Sequence, residues 1–235
     1  MERIDKIICS QTTYTRKGVK DLIRNKRVAV NDNIIVKSDI KINPELDNIS
    51  IDGKNIEIKK YVYLILNKPK GYISATEDKT MQTVLDLAPI KYSHRNLFPA
   101  GRLDKDTTGL MIITDDGEFA HNILSPKKHI SKTYKVTIDI PLSNEMVEVF
   151  KKGVMLNDGE CKQAILEITG VYTAIVILTE GRYHQIKRMF GCFGAKVLEL
   201  QRIKMGNFCL PNTLKEGECR ELTELELRQV KEIGF

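Results

Sequence analysis

Short apolar segments between residues 61 and 200 constrain the fold of this chain most strongly. They have the length of strands, and they are rich in β-branched residues or alternate between apolar and polar positions. These segments cover residues 61–67, 110–114, 133–138, 174–179 and 196–200.

The helices expected between these strands are few. The sequence predicts a short helix over residues 118–124, another from about residue 181 to Gly194, and a third that opens with the capping-box sequence Thr223-x-x-Glu226. A parallel sheet would need a crossover helix between most strand pairs. The sequence therefore predicts an α+β fold with a mixed, largely antiparallel sheet.

The composition excludes several classes of protein. The chain has 235 residues, 42% of them hydrophobic and 29% charged, which is typical of a globular protein with one large or two unequal domains. Neither a membrane-spanning apolar run nor a signal-peptide core is visible, so we expect a cytoplasmic protein that does not enter a membrane. The five cysteines form no C-x-x-C motif, and we interpret them as reduced thiols.

The first 27 residues are strongly basic. They carry eight Lys or Arg residues against three acidic ones, which favours a polyanionic partner. Thr15 can cap a helix over residues 16–25 whose buried stripe is Val19, Leu22 and Ile23. The basic residues Arg16, Lys17, Lys20 and Arg24 would then share its exposed surface, and residues 27–36 would form a hairpin.

This basic region resembles the S4 RNA-binding domain. The resemblance depends on Arg3-Ile-Asp-Lys6, Thr15-Arg-Lys17, Leu22-Ile-Arg24 and Arg27-Val-Ala-Val-Asn31. It implies structured RNA as the partner, with these candidate contacts: Arg3, Lys6, Arg16, Lys17, Lys20 and Arg24. Residues 43–55 are polar and rich in turn residues, so we interpret them as a linker and place the domain junction near residue 59. The expected domains are 1–59 and 60–235.

A loop before the second strand carries the first candidate catalytic group. Asp104 and Asp106 lie among glycines and hydroxyl side chains in the segment 98–109. The pattern Asp104-x-Asp106-x-Thr108 also matches haloacid-dehalogenase-type phosphatases. Their motif follows a buried strand, however, whereas here Pro99 and Gly101 interrupt the preceding residues.

Two further clusters complete the candidate site. Tyr134 lies in the strand-like sequence Lys132-Thr-Tyr-Lys-Val136, and Arg182, His184, Lys187 and Arg188 crowd a strand-to-helix junction. Taken alone, the first is compatible with an ordinary strand tyrosine and the second with a solvated basic helix.

Together these segments resemble the RNA pseudouridine synthases, and most closely the RsuA subfamily, whose members often carry an N-terminal S4 domain. The resemblance rests on Gly101-Arg-Leu-Asp-Lys-Asp-Thr-Thr-Gly109, Thr114-Asp-Asp-Gly117, Lys132-Thr-Tyr-Lys-Val136 and Gly181-Arg-Tyr-His-Gln-Ile-Lys-Arg-Met-Phe190, in family order. It implies isomerisation of uridine to pseudouridine without a cofactor or metal ion.

The resemblance also implies roles for individual residues. Asp104 matches the essential aspartate, which either attacks carbon or removes a sugar proton, and Tyr134 matches the tyrosine that stacks on the target base. Lys187 takes the position of a cation that pairs with the aspartate and keeps it ionised. The phosphate or nucleotide contacts it implies are Arg102, Arg182 and Arg188.

The expected substrate is a specific uridine in 16S ribosomal RNA, free or in a small-subunit assembly intermediate, bound by a monomeric enzyme. A 23S-directed relative and a non-catalytic RNA-binding or ribosome-assembly factor are the alternatives. The acid-rich helix before Phe235, without a basic tail, favours the small-subunit enzyme over the first alternative. The intact set Asp104, Tyr134 and Lys187 argues against the second.

Overall fold

The computed structural model describes residues 1–125 and 127–234, which form two compact units. The first unit contains residues 1–62 and 89–96, and the second contains residues 63–88 and those from Leu97 onward. The division after Val62 lies close to the junction expected near residue 59. The sequence did not predict that residues 89–96 also belong to the first unit. No helix in the described part of the chain is long and apolar enough to cross a bilayer.

The first unit consists of short helices and strands, with a 3₁₀ turn at Ile90–Tyr92. In chain order its main elements are β1 (Glu2–Arg3), α1 (Ile4–Gln11), α2 (Arg16–Arg24), β2 (Val28–Val30), β3 (Asn33–Ile34), β4 (Lys41–Ile42), β5 (Ile49–Ile51) and β6 (Lys54–Asn55). Strand β1 pairs with β4, and the other strands form a sheet in the order β3-β2-β5-β6.

Helix α2 confirms the prediction for the basic region. The Thr15 side chain accepts a hydrogen bond from the Gly18 N–H, and the stripe Val19, Leu22 and Ile23 is buried. The interpretation of residues 43–55 as a linker was wrong. Ile49 and Ile51 of β5 lie in the core of this unit, and the turn residues around them connect strands of its sheet. Polar turns between short strands have the same composition as a linker, which explains the error.

The second unit contains one large sheet and four helices among its described residues, with a 3₁₀ turn at Val84–Leu87. Its strands are β7 (Tyr63–Lys68), β8 (Phe98–Pro99), β9 (Thr108–Thr114), β10 (Lys132–Ile138), β11 (Met155–Leu156), β12 (Gly159–Glu160), β13 (Ile165–Ile168), β14 (Thr173–Leu178), β15 (Val197–Met205), β16 (Phe208–Cys209) and β17 (Cys219–Glu221). Its helices are α3 (Gly117–Leu124), α4 (Asn144–Lys152), α5 (Gln185–Gly191) and α6 (Glu224–Lys231).

The sheet is mixed, as the sequence predicts. Its strand order is β13-β14-β10-β15-β9-β7-β17, with β16 paired to β15, β8 paired to β9, and β11 and β12 in a separate hairpin. Among the described strand pairs, only β15 and β9 run parallel. One hydrophobic core packs α4 and α5 against β10, β13, β14 and β15, and another packs α3 and α6 against β7 and β9.

The capping box of α6 is confirmed and extends to a neighbouring strand. The Glu226 carboxylate accepts hydrogen bonds from Arg220 at 2.7 and 2.9 Å and from the Thr223 N–H at 2.8 Å. The hydrogen bonds from Arg220, more than the one from Thr223, lower the pKa of Glu226 from 4.5 to about 2. The cap therefore also fastens α6 to β17.

We expect Glu226→Gln to lower the free energy of unfolding by about 1 kcal/mol at neutral pH. The folded pKa lies below the unfolded one, so this contribution is complete above about pH 4.5 and is lost as the pH falls toward 2. The difference between wild type and variant should therefore shrink in acid. Urea unfolding followed by circular dichroism at neutral pH and near pH 3 measures it.

Glu224→Gln is the matched control, because Glu224 lies in the same helical turn but its side chain is 93% exposed. An equal loss of stability in both variants would attribute the effect to helix charge and not to the contact with Arg220.

Candidate active site

The candidate site is built around Asp104, in the loop between β8 and β9. Lys187 of α5 places its ammonium nitrogen 3.2 Å from Asp104 Oδ2, and both side chains are about one-quarter exposed. The structure thus brings together two residues that are 83 positions apart in the chain and that the sequence assigned to one site.

Lys187 binds a second carboxylate in the same loop. Its ammonium group donates to both oxygens of Asp106, at 2.7 and 2.9 Å. Burial lowers the pKa of Lys187, but its hydrogen bonds with Asp106 and Asp104 outweigh this, and the pKa is raised. The hydrogen bond from Lys187 likewise lowers the pKa of Asp106. Lys187 is therefore held as a cation beside Asp104.

His184 is a third member of the site, to which the sequence analysis assigned no role. Its Nε2 lies 3.4 Å from Asp104 Oδ1, whereas the Lys187 ammonium lies 3.2 Å from Oδ2. The backbone of His184 is left-handed, with φ of 48°, and α5 begins only at Gln185. The predicted helical start near residue 181 was therefore wrong, because residues 181–184 form the turn that carries this imidazole. Its position three residues before Lys187 is the sequence signal that could have revealed it.

The loop that carries Asp104, residues 100–107, is the candidate catalytic loop, and its backbone is held by a buried lysine whose role the sequence did not reveal. Lys68, at the end of β7, is fully buried and donates to the carbonyl oxygens of Thr107 (2.8 Å), Pro69 (3.1 Å) and Lys105 (3.3 Å). Burial lowers the pKa of Lys68 from 10.5 to about 8. The sequence Lys68-Pro-Lys-Gly71 was interpreted only as the end of a strand.

The segment after Lys68 holds the same loop through further hydrogen bonds. The Gly71 N–H donates to the Lys105 carbonyl at 2.8 Å. The Ser74 hydroxyl donates to the Leu103 carbonyl at 2.7 Å and accepts from the Leu103 N–H at 3.0 Å. The residues on both sides of Asp104 are therefore fixed by the segment 68–74.

Tyr134 lies on the central strand β10, half-buried and partly packed against the core beneath α5. Its Cα is opposite that of Arg202 on β15, and Arg202 is opposite Gly109, where β9 leaves the candidate catalytic loop. Two strand spacings, about 10 Å, therefore separate the backbones of Tyr134 and Gly109.

Gly109 permits this close approach of β9 to β15. Its φ is 97°, and a Cβ built on it would lie 2.3 Å from the Arg202 carbonyl oxygen. The Arg202 side chain is buried and donates from Nε to the Leu110 carbonyl at 2.7 Å. Together these contacts connect the candidate catalytic loop to the strand beside Tyr134.

The predicted phosphate contacts of this unit differ in their surroundings. Arg102 is exposed, whereas Arg182 and Arg188 form ion pairs with Asp158 in the turn of the β11–β12 hairpin. Arg182 also lies 3.6 Å from Glu180 and donates to the Gly159 carbonyl at 2.9 Å. Both arginines therefore fasten the hairpin to the start of α5.

The predicted basic surface of the first unit is exposed. Arg16, Lys17 and Lys20 form no ion pair among the described residues, whereas three other candidates are paired: Arg3 with Asp5, Lys6 with Glu2, and Arg24 with Asp21.

The chain is similar to known proteins along nearly its whole length. Residues 62–191 match the family model described as RNA pseudouridylate synthase. The chain is 40% identical to ribosomal small subunit pseudouridine synthase A of Escherichia coli (strain K12), over 97% of this chain and 99% of that protein. It is 37% identical to the uncharacterized RNA pseudouridine synthase YtzG of Bacillus subtilis (strain 168), over 98% of both. A solved pseudouridylate synthase structure covers 98% of this chain with a TM-score of 0.69 and 36% identity, and is itself covered completely.

The chain therefore belongs to the RNA pseudouridylate synthase family. It is an isomerase that converts uridine in RNA to pseudouridine. The resemblance to the RNA pseudouridine synthases found in the sequence is confirmed, and so is the fold class.

We expect Lys68→Met to reduce kcat about a hundredfold, because small displacements of a catalytic group have effects of that size. Methionine has a similar length but cannot donate to the carbonyl oxygens of Lys105 and Thr107, so Asp104 loses its fixed position. Tritium release from RNA labelled at C5 of uridine, measured at saturating RNA, gives kcat.

Lys70→Met is the control, since Lys70 is exposed and lies two residues farther along the same segment. The proposed role of Lys68 fails if both variants keep wild-type kcat while circular dichroism shows them folded.

Proposed function

We propose that the protein isomerises a specific uridine of 16S ribosomal RNA, with Asp104 as the essential catalytic group and without a cofactor. The observation that carries this proposal is the Asp104 carboxylate, which lies beside the Lys187 ammonium at 3.2 Å on a loop whose backbone is fixed on both sides. The small-subunit target is supported by the relative from Escherichia coli, which matches along nearly its whole length.

The reaction breaks the N1–C1′ bond of uridine, turns the uracil and forms a C5–C1′ bond, while the proton at C5 leaves and N1 regains one. Asp104 serves either as the nucleophile at carbon or as the base that removes a sugar proton. Lys187 stabilises the carboxylate charge in both cases, because its ammonium group stays protonated beside it. Tyr134 offers its ring for stacking on the detached base, and its hydroxyl can assist proton transfer.

The target base must leave its stack to reach Asp104, which costs a few kcal/mol. Contacts with the RNA backbone must offset this cost. We propose that they come from Arg102 and from the basic surface of the S4-like first unit. Phosphate contacts of this kind position the RNA without reading its sequence.

We expect cells that lack this protein to lack one pseudouridine in 16S ribosomal RNA. The wild-type gene should restore it, whereas Asp104→Asn should not, because the amide can neither attack carbon nor remove a proton. Chemical mapping of pseudouridine in 16S and 23S ribosomal RNA measures both results. Residual in-vitro activity above about a tenth of wild type would remove Asp104 from the chemistry.

Glu77→Gln is the control, since it also removes one carboxylate, from an exposed residue of the second unit with no contact to Lys187 among the described ion pairs. It should restore the modification. Loss of a 23S pseudouridine in place of a 16S one would assign the enzyme to the large subunit.

We expect Lys17→Gln combined with Lys20→Gln to weaken RNA binding at low salt and to flatten its salt dependence. Each neutralised phosphate contributes about −0.7 to −0.9 to the slope of log K against log salt, so the slope should change by about one to two. Binding isotherms at several salt concentrations give the slope.

Lys151→Gln combined with Lys152→Gln removes the same charge from the exposed end of α4 and should leave the slope unchanged. If the Lys17 and Lys20 double variant kept the same salt slope as wild type and this control, Lys17 and Lys20 would contact no phosphate.

A further inference from the structure

An exposed aromatic ring lies directly beside the candidate active site. The Tyr183 side chain is 73% exposed, and its ring stacks on the His184 imidazole with 3.9 Å between centroids and 17° between planes. One face of the tyrosine is thus covered by the imidazole, so its exposure must come from the opposite face and the ring edges. Among the exposed tyrosines of the described residues, Tyr183 is the most exposed.

The stack continues from the catalytic carboxylate. His184 approaches Asp104 through Nε2 at 3.4 Å and carries Tyr183 on its ring. The imidazole therefore lies between the Tyr183 ring and the Asp104 carboxylate, and the exposed face of Tyr183 is available to a group that neighbours the target nucleotide.

The backbone beneath Tyr183 is held in place. Arg188 Nη1 donates to the Tyr183 carbonyl at 3.2 Å and also to Asp158 at 3.1 Å, so one guanidinium binds both this turn and the β11–β12 hairpin. The Arg182 N–H donates to the Gln185 side chain at 2.9 Å, which fixes the other side of the turn. Because the turn is already ordered, Tyr183 would lose little conformational entropy when a partner binds to its ring.

We propose that the exposed face of Tyr183 stacks on a nucleobase adjacent to the target uridine. This inference rests on the proposed function of the site. When the target base leaves the stack, its neighbours lose a stacking partner, and an ordered aromatic ring beside the carboxylate replaces it. Tyr134 serves the target base itself, and Tyr183 serves the next one. Every base offers a π-face, so this contact fixes the position of the strand and does not select its sequence.

Three variants test the inference. Tyr183→Ala should weaken RNA binding about tenfold and raise KM more than it lowers kcat, whereas Tyr183→Phe, which retains the ring, should behave like wild type. Tyr172→Ala is the control, because Tyr172 is another exposed tyrosine of the same unit but precedes β14, at the opposite end of that strand from the turn that carries Tyr183, and should change neither value. Circular dichroism verifies that all three are folded.

An abasic nucleotide on either side of the mapped uridine identifies the contact. Wild-type enzyme should bind one of these two RNAs about tenfold more weakly, and Tyr183→Ala should show no further loss with that RNA. Equal losses for wild type and Tyr183→Ala at both positions, or wild-type affinity in Tyr183→Ala, would overturn the inference. Wild-type tritium release from the unaltered RNA is measured in parallel, and its absence would instead refute the proposed function.

Discussion

The position of the candidate catalytic loop depends on the hydrogen bonds that the buried ammonium group of Lys68 donates to its backbone. Burying a lysine is costly, and here the carbonyl oxygens of Lys105 and Thr107 compensate the cost by accepting hydrogen bonds from its ammonium group. The same hydrogen bonds satisfy loop carbonyls that no sheet ladder pairs. The end of β7 thus holds the segment that carries Asp104. The cost of burying the Lys68 ammonium shows in its pKa, which burial lowers to about 8.

The parallel contact between β9 and β15 links this anchored loop to the rest of the sheet. Gly109 has no Cβ, so β9 can approach the Arg202 carbonyl, and Arg202 in turn lies opposite Tyr134. A side chain at Gly109 would push the loop away from the strand beside Tyr134. The spacing between the carboxylate loop and the tyrosine is therefore set by backbone pairing, which is more rigid than contacts between long side chains.

Local patterns predicted the elements well, because caps and periodicity act over a few residues. Thr15, the stripe Val19, Leu22 and Ile23, and the capping box at Thr223 all appear as expected. Residues 43–55 were misread because short strands and linkers share their composition. Lys68 and His184 were missed because their roles arise from partners at least 37 residues away, which no local pattern encodes.

The charges of the site indicate how chemistry and RNA attraction are divided within the protein. Lys187, Arg182 and Arg188 are already bound to carboxylates, so they order Asp104, the hairpin and the Tyr183 turn more than they attract phosphate. A paired cation presents little net field beyond its partner. The exposed bases without carboxylate partners among the described residues, such as Lys17 and Lys20, retain their full charge for a polyanion. This difference in pairing supports the proposal that attraction that falls with salt comes from the first unit, and that stacking and proton transfer take place in the second.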